Sequence, residues 1–330
     1  MSAKRILLIS ISTCEFIILA VLGYTMYSNW IQKRNILGDS VVTPLKKEYL
    51  IFPPTAFYSA YYEPKPNTTE TNIFPWMSDS ATYTINADGL NERFNYPSTK
   101  PPGAYRIIAL GDSFTFGHYV NTADNWTELI EDHLNQQNPC PGITKYEVLN
   151  LGVRGYDIDF AAERYKIRGQ KYNPDLVIWF INNHHFYMVR ELVTQREDQL
   201  AKQMSETEKK RMLGEGNYFP ALKEAIQETF QKYPMERLVE QENAGLYEFA
   251  KYYSGPLVLI ANQIDSRYMV LLKIFQHFRS SPTYIFQNIS DINQIAGAAF
   301  PDGHPSQVGH RLYAQDIYQY LTNQHLVCRK

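Results

Sequence analysis

Cysteine is scarce: three in 330 residues, Cys14, Cys140 and Cys328. None stands in a C-x-x-C pair, which leaves out zinc-ribbon and thioredoxin-type spacings. An excess of charge of one sign is also missing. Lys plus Arg number 32 against 34 Asp plus Glu, for a formal net charge of −2, so the chain has no electrostatic basis for holding nucleic acid. It contains no internal repeat and no phosphate-cradling glycine loop. What is plentiful argues against disorder: 44% of residues are hydrophobic and 14% aromatic. That is enough for one large domain or two small ones.

One long apolar run stands apart. Lys4 and Arg5 precede residues 6–27, a stretch long enough to cross the hydrocarbon core as a helix. Glu15 interrupts it, and a mid-membrane charge costs about 2.5–3.5 kcal/mol on insertion scales. A cleavable signal peptide is the rival reading, but no Ala-x-Ala site follows the run. A buried core helix is a third. The expectation is an uncleaved single-pass anchor that places the rest of the chain outside the cytoplasm. Lys33 and Arg34 on the far side make the charge rule only a weak guide to that orientation. The expected layout is a short tail (1–5), the anchor (6–27), a Pro- and Tyr-rich stalk packing onto the domain (28–80) and a folded domain (81–325).

From Tyr105 strand and helix patterns alternate. Tyr105–Leu110 reads as a strand. Residues 124–137 carry Trp126, Leu129, Ile130, His133 and Leu134 at helical spacing after a Thr122 cap. A strand at Tyr146–Leu151, a helix at Asp159–Gln170 and a fully buried strand at Asp175–Ile181 follow. This alternation predicts an α/β fold with a doubly wound parallel sheet. The pattern then breaks. Arg190 to Leu213 is charged and helical, continuing towards Glu240, and Pro256 to Phe278 reads as a second, amphipathic helix. A strand returns only at Thr283–Gln287. Residues 186–280 are therefore expected to form a helical insertion, either a cap over the carboxyl edge of the sheet or surface elaboration. The charge run Glu206–Arg211 is expected to be a solvated helix face.

The chemistry gathers at two places. Gly111-Asp112-Ser113-Phe114-Thr115-Phe116-Gly117 follows directly on the first strand. It puts a serine hydroxyl at the carboxyl edge of the sheet, where open α/β sheets build their sites. A free serine is a poor nucleophile at neutral pH and needs a base. Near the other end, Asp302-Gly303-His304-Pro305 supplies one: an imidazole, with a carboxylate two residues earlier to set its tautomer. Taken singly, each has a plainer reading, as a turn serine, a surface histidine and a turn-forming aspartate.

With Asn150-Leu151-Gly152-Val153-Arg154-Gly155-Tyr156 between them, these blocks resemble the serine, glycine and Asp/His blocks of the SGNH/GDSL hydrolases. The lead-in from Tyr83 to Arg93 is similar too, and the likeness spans roughly residues 82–321. It implies a flavodoxin-like sheet and a serine esterase. Ser113 would be the nucleophile, His304 the general base and Asp302 its orienting carboxylate. The family's oxyanion donors would be the N–H groups of Ser113 and Gly152 and an asparagine amide. The family's Gly-x-Asn-Asp is incomplete here: the third strand runs into Asn182-Asn183-His184-His185, so that amide is Asn183 or, one residue earlier, Asn182. The D-x-H spacing, shorter than the usual D-x-x-H, resembles members acting on acetylated polysaccharide or peptidoglycan. His310 fits the family's helix-initiating Gly-His, a structural position.

In such a sheet the helices after Ser113 and His304 both run down from the site. Cys140 and Cys328 would then end side by side, as a disulfide in an oxidising compartment or as two free thiols. No cofactor is implied. His184, His185, His304 and His310 show no metal-ligand spacing. The expected substrate is an acyl ester on extracytoplasmic glycan or lipid. The alternatives are an O-acetyltransferase of surface polysaccharide and an inactive glycan-binding scaffold.

Overall fold

The computed structural model describes residues 50–51, 53, 55–73, 77–205 and 220–328. Two small antiparallel pairs come first: β1 (Leu50–Ile51) with β2 (Glu63–Pro64), and β3 (Thr68–Asn72) with β4 (Ala81–Ile85). Then come β5 (Ala104–Leu110), α1 (Ser113–Phe116), α2 (Trp126–Gln137), β6 (Lys145–Asn150), α3 (Ile158–Arg164) and β7 (Leu176–Asn182). Three helices follow: α4 (Arg190–Gln203), α5 (Pro220–Lys232) and α6 (Met235–Tyr252). The chain closes with β8 (Leu257–Asn262), α7 (Ser266–Phe278), β9 (Thr283–Phe286) and α8 (Gln307–Asn323).

Strands β5 to β9 form one parallel sheet in the order β6-β5-β7-β8-β9. The period of two along each strand feeds a core on either face. Ile108 and Leu110, with Trp179 and Ile181, face Phe160 of α3, Phe249 of α6 and Leu272 of α7. Ile107 and Ala109, with Ile178 and Phe180, face Trp126 and Ile130 of α2 and Tyr313 and Ile317 of α8. Every residue of β7 is buried, as expected of a strand covered by helices on both faces. From β5 the chain turns to β6 on one side and to β7 on the other, so the carboxyl end of β5 is the topological switch point.

The fold corrects one expectation. The stretch Pro256–Phe278 is not one helix: Leu257–Asn262 is the fourth sheet strand, paired with β7, and only Ser266–Phe278 is helical. A short apolar run reads equally as buried strand or buried helix, and pairing with β7 decides. The range 186–280 is thus less an insertion than expected. Helix α6 packs on α3 in the same core as α7. Only α4 and α5 stand aside, around a small core of Val193, Leu200, Leu222 and Ala225. The run Glu206–Arg211 lies outside the described residues.

The expected anchor, 6–27, also lies outside them, and among the described residues no helix is long and apolar enough to cross a membrane. The described part of the expected stalk packs onto the domain. Tyr61 and Tyr62 are buried against Tyr156 and Phe160. The buried Glu63 binds Arg164 and Arg168, each at 2.6 Å. Cys140, beyond α2, and Cys328, beyond α8, form a disulfide with Cα atoms 5.3 Å apart.

Candidate active site

The site is built at the carboxyl end of β5. Gly111 has φ +151°, and a Cβ there would lie 2.3 Å from Thr115 Oγ1; only glycine lets the strand turn so sharply into α1. Asp112 caps that short helix, accepting the N–H of Phe114. Ser113 is its first residue, so its own N–H has no acceptor within the helix.

Ser113 Oγ lies 2.8 Å from His304 Nε2, though 191 residues separate them in sequence. His304 Nδ1 lies 3.0 Å from Asp302 Oδ2. A carboxylate only accepts, so Nδ1 carries the imidazole proton and Nε2 presents its lone pair to the serine hydroxyl. The short D-x-H tether works because Gly303, at φ +85°, turns the chain back on itself. Asp302 Oδ1 then accepts the backbone N–H of His304 at 3.1 Å while Oδ2 takes the ring. Burial would raise the Asp302 carboxyl, but hydrogen bonds from His304 and Tyr119 outweigh it and hold the group below its ordinary range.

Beside the serine, Asp112 is buried and collects donors. Its Oδ2 accepts Asn182 Nδ2 at 3.1 Å and His185 Nε2 at 2.9 Å, with His184 Nε2 at 3.3 Å. Burial alone would raise this carboxyl; the two histidines overcome that and hold it far below the carboxylate range. The ligand atoms of Asp112, His184 and His185 lie within 4.8 Å of one another, a spacing open to a metal ion. The tautomer argues against that use. His185 Nδ1 accepts the N–H of Asn182, so its Nε2 carries a proton aimed at Asp112 and has no lone pair to give. The cluster reads as a hydrogen-bonded support for the serine turn. His310 is buried beneath the site, its Nδ1 accepting the N–H of Trp126 at 3.3 Å.

The structure brings Ser113, His304 and Asp302 together and rearranges the expected oxyanion donors. The N–H of Gly152 donates to Asn150 Oδ1 at 3.0 Å, so it is spent within its own loop. Gly152 serves packing instead, since a Cβ there would meet Phe116 N and Thr115 Cβ at 2.6 Å. Three residues on, Gly155, at φ +79°, closes the Val153–Tyr156 turn. Both asparagine amides are engaged. Asn182 donates to Asp112 and accepts from Asn262 at 2.6 Å. Asn183 accepts the N–H of Asp265 at 2.9 Å and bonds the Tyr187 hydroxyl. His184, in the same turn, also reaches Asp112. Sequence reading missed its contact, because no local pattern reports which side of a turn a residue faces.

No family model matches the chain, and no curated protein does. Solved structures do, several of them esterases. The psychrotrophic esterase EstA from Pseudoalteromonas sp. is similar over 67% of this chain and 98% of its own, with 14% identity and a TM-score of 0.44. A two-domain esterase active on acetylated mannans is similar over 69% of this chain and 50% of its own, with 14% identity and a TM-score of 0.39. A catalytic mutant of Axe2, an acetylxylan esterase from Geobacillus stearothermophilus, is similar over 68% of this chain and 95% of its own, with 14% identity and a TM-score of 0.36. Similarity at this level does not locate a function. The arrangement at Ser113 is a stronger guide.

Proposed function

We propose that this chain is a serine esterase of the SGNH/GDSL type, cleaving carboxylic esters through an acyl-serine. The observation that carries the reading is the unbroken hydrogen-bonded line from Ser113 Oγ through His304 to Asp302. His304 Nε2 takes the hydroxyl proton as Oγ attacks the ester carbonyl, forming the C–O bond of a tetrahedral intermediate. The imidazolium, held by Asp302, then protonates the departing alcohol, and the same base activates the water that releases the acid. The developing oxyanion needs preorganised donors, each contributing about 2.7–4 kcal/mol. Ser113 N–H is one. The expected second donor, Gly152 N–H, would have to leave Asn150 Oδ1 to act, and the amide of Asn182 or Asn183, each with two N–H groups, would be the third. No cofactor enters this chemistry.

The acyl group we propose is short and carried on glycan or lipid outside the cytoplasm. Two features support that placement: the apolar run 6–27, read as a membrane anchor, and the Cys140–Cys328 disulfide, which suits an oxidising compartment. The test is hydrolysis of p-nitrophenyl acetate, butyrate and octanoate by wild type and Ser113→Ala. The expected result is a rate highest on acetate and reduced at least about 10³-fold by the substitution. Equal rates in the two proteins would remove Ser113 from the reaction.

A further inference from the structure

Behind the His304 imidazole stands a residue outside every recognised block. Tyr119 is buried, and its backbone is left-handed, at φ +73°. A bulky side chain rarely adopts that conformation, which persists only where the surroundings over-determine it. Here the surroundings do so. The Tyr119 N–H donates to Tyr83 Oη at 2.9 Å. Its hydroxyl bonds the Asp302 carboxylate, and a carboxylate can only accept. Its ring meets that of His304 edge-on, with centroids 5.1 Å apart and planes at 86°.

Tyr83 is itself fully buried and lies on β4, in the hairpin outside the main sheet. Its oxygen receives the Tyr119 N–H and also pairs with His118 Nδ1 at 3.1 Å. Burial and the nearby Arg154 hold His118 well below the ordinary imidazole range. The hairpin is tied to the same loop by Thr82 N–H to Asn121 Oδ1 at 3.0 Å and Thr84 N–H to Thr122 Oγ1 at 2.8 Å. A continuous connection therefore runs from β4 through Tyr83 and Tyr119 to Asp302.

We infer that Tyr119 is a positioning residue, held in its strained backbone by Tyr83 and the β3–β4 hairpin so that its hydroxyl fixes the Asp302 carboxylate and, through it, the His304 imidazole. The inference rests on the triad reading above. The physical need is the short tether: Asp302 reaches His304 across a single glycine and has no helix or strand to set its rotamer. A third donor, fixed from outside the loop, supplies that constraint.

Tyr119→Phe keeps the ring and removes one oxygen. The expected result is a kcat on p-nitrophenyl acetate lowered about tenfold with KM within about twofold, the split that marks loss of transition-state rather than ground-state contacts. The His304 titration midpoint, followed by NMR of the imidazole, should rise by about 0.3–1 pH unit, because the lost donor leaves more negative charge on Asp302 facing the imidazolium. The titratable groups facing His304 besides Asp302 include His118, His184 and His310, and all three are retained in this variant. Tyr83→Phe should move both readouts the same way by less, and the double variant should be no worse than Tyr119→Phe alone. An unmoved midpoint with unchanged kcat would reduce Tyr119 to packing and overturn the inference. The titration needs no turnover. A wild type without esterase activity whose midpoint still moves in Tyr119→Phe would uphold the positioning role and sink the esterase reading. Should Tyr119→Phe fail to fold, Tyr83→Phe decides by the same midpoint.

Discussion

Asp302 makes one residue do what two usually share, accepting both the backbone N–H and the ring N–H of His304. An amide in its place would put an N–H against the ring and favour the wrong tautomer. Asp302→Asn is therefore expected to lower kcat by about 10³–10⁴-fold with little change in KM, measured on p-nitrophenyl acetate. His310 makes a different prediction. It is fully buried with its Nδ1 committed as an acceptor, and burial pushes its pKa down to about 3. The unfolded chain takes up this proton below the ordinary 6.5, and the folded one does not until about 3. Stability contributed by the neutral ring is thus lost as pH falls from 6.5, by up to about 1.4 kcal/mol per unit. Glu131 works the other way. Its carboxyl is pushed up by burial to about 7, which favours the folded state as pH falls from 7 to its ordinary 4.5. The difference between wild type and His310→Gln isolates the histidine: urea midpoints between pH 6.5 and 4.5 should fall less steeply in the variant. Parallel curves would contradict the buried neutral ring.

Within the sheet, β5 and β6 are joined by more than their ladder. Arg106, fully buried, donates to Glu147 on the neighbouring strand at 2.8 Å and to the carbonyls of Pro97, Ser98 and Tyr172. Removing one partner strands the other charge in the interior, so Glu147→Met is expected to lose about 3–5 kcal/mol. Part of that loss should return in the Arg106→Met/Glu147→Met protein; chemical denaturation of both checks it. Strands such as β5 and β7 were legible because their apolar runs end in turn residues. Strand β8 was not, because Leu257–Ala261 merges into the helical spacing of Tyr268, Leu272 and Phe275. The break lies between them at Gln263, with φ +51°, and at Asp265, which caps α7. The polar string Asn262-Gln263-Ile264-Asp265 carried that signal. Ser113 was legible because it begins an element directly after an apolar strand, and Asp302 and His304 because they stand together in one short Asp-Gly-His string before α8. The oxyanion donors were not: whether Gly152, Asn182 or Asn183 is available depends on which neighbour has already taken its hydrogen bond. Tyr119 was invisible for a related reason, since nothing in a tyrosine announces a left-handed backbone.

Across the whole domain, the Cys140–Cys328 disulfide spans 188 residues of sequence, far from Ser113 along both helices that lead down from the site. Such a closure restricts the unfolded chain, an effect of about 2–5 kcal/mol. Cys140→Ala/Cys328→Ala should therefore lower Tm clearly while leaving kcat within about twofold at temperatures where it stays folded. A large loss of activity in the folded variant would show that the far end of the domain governs the site. The central claim is more local: Ser113 is an activated nucleophile. The most direct test is to treat wild type, Ser113→Ala and His304→Ala with a fluorophosphonate probe and read intact mass and peptide map. The account predicts one adduct, on Ser113, in wild type, strongly slowed in His304→Ala and absent in Ser113→Ala. A folded wild type left unlabelled, or an adduct on any other residue, would contradict it.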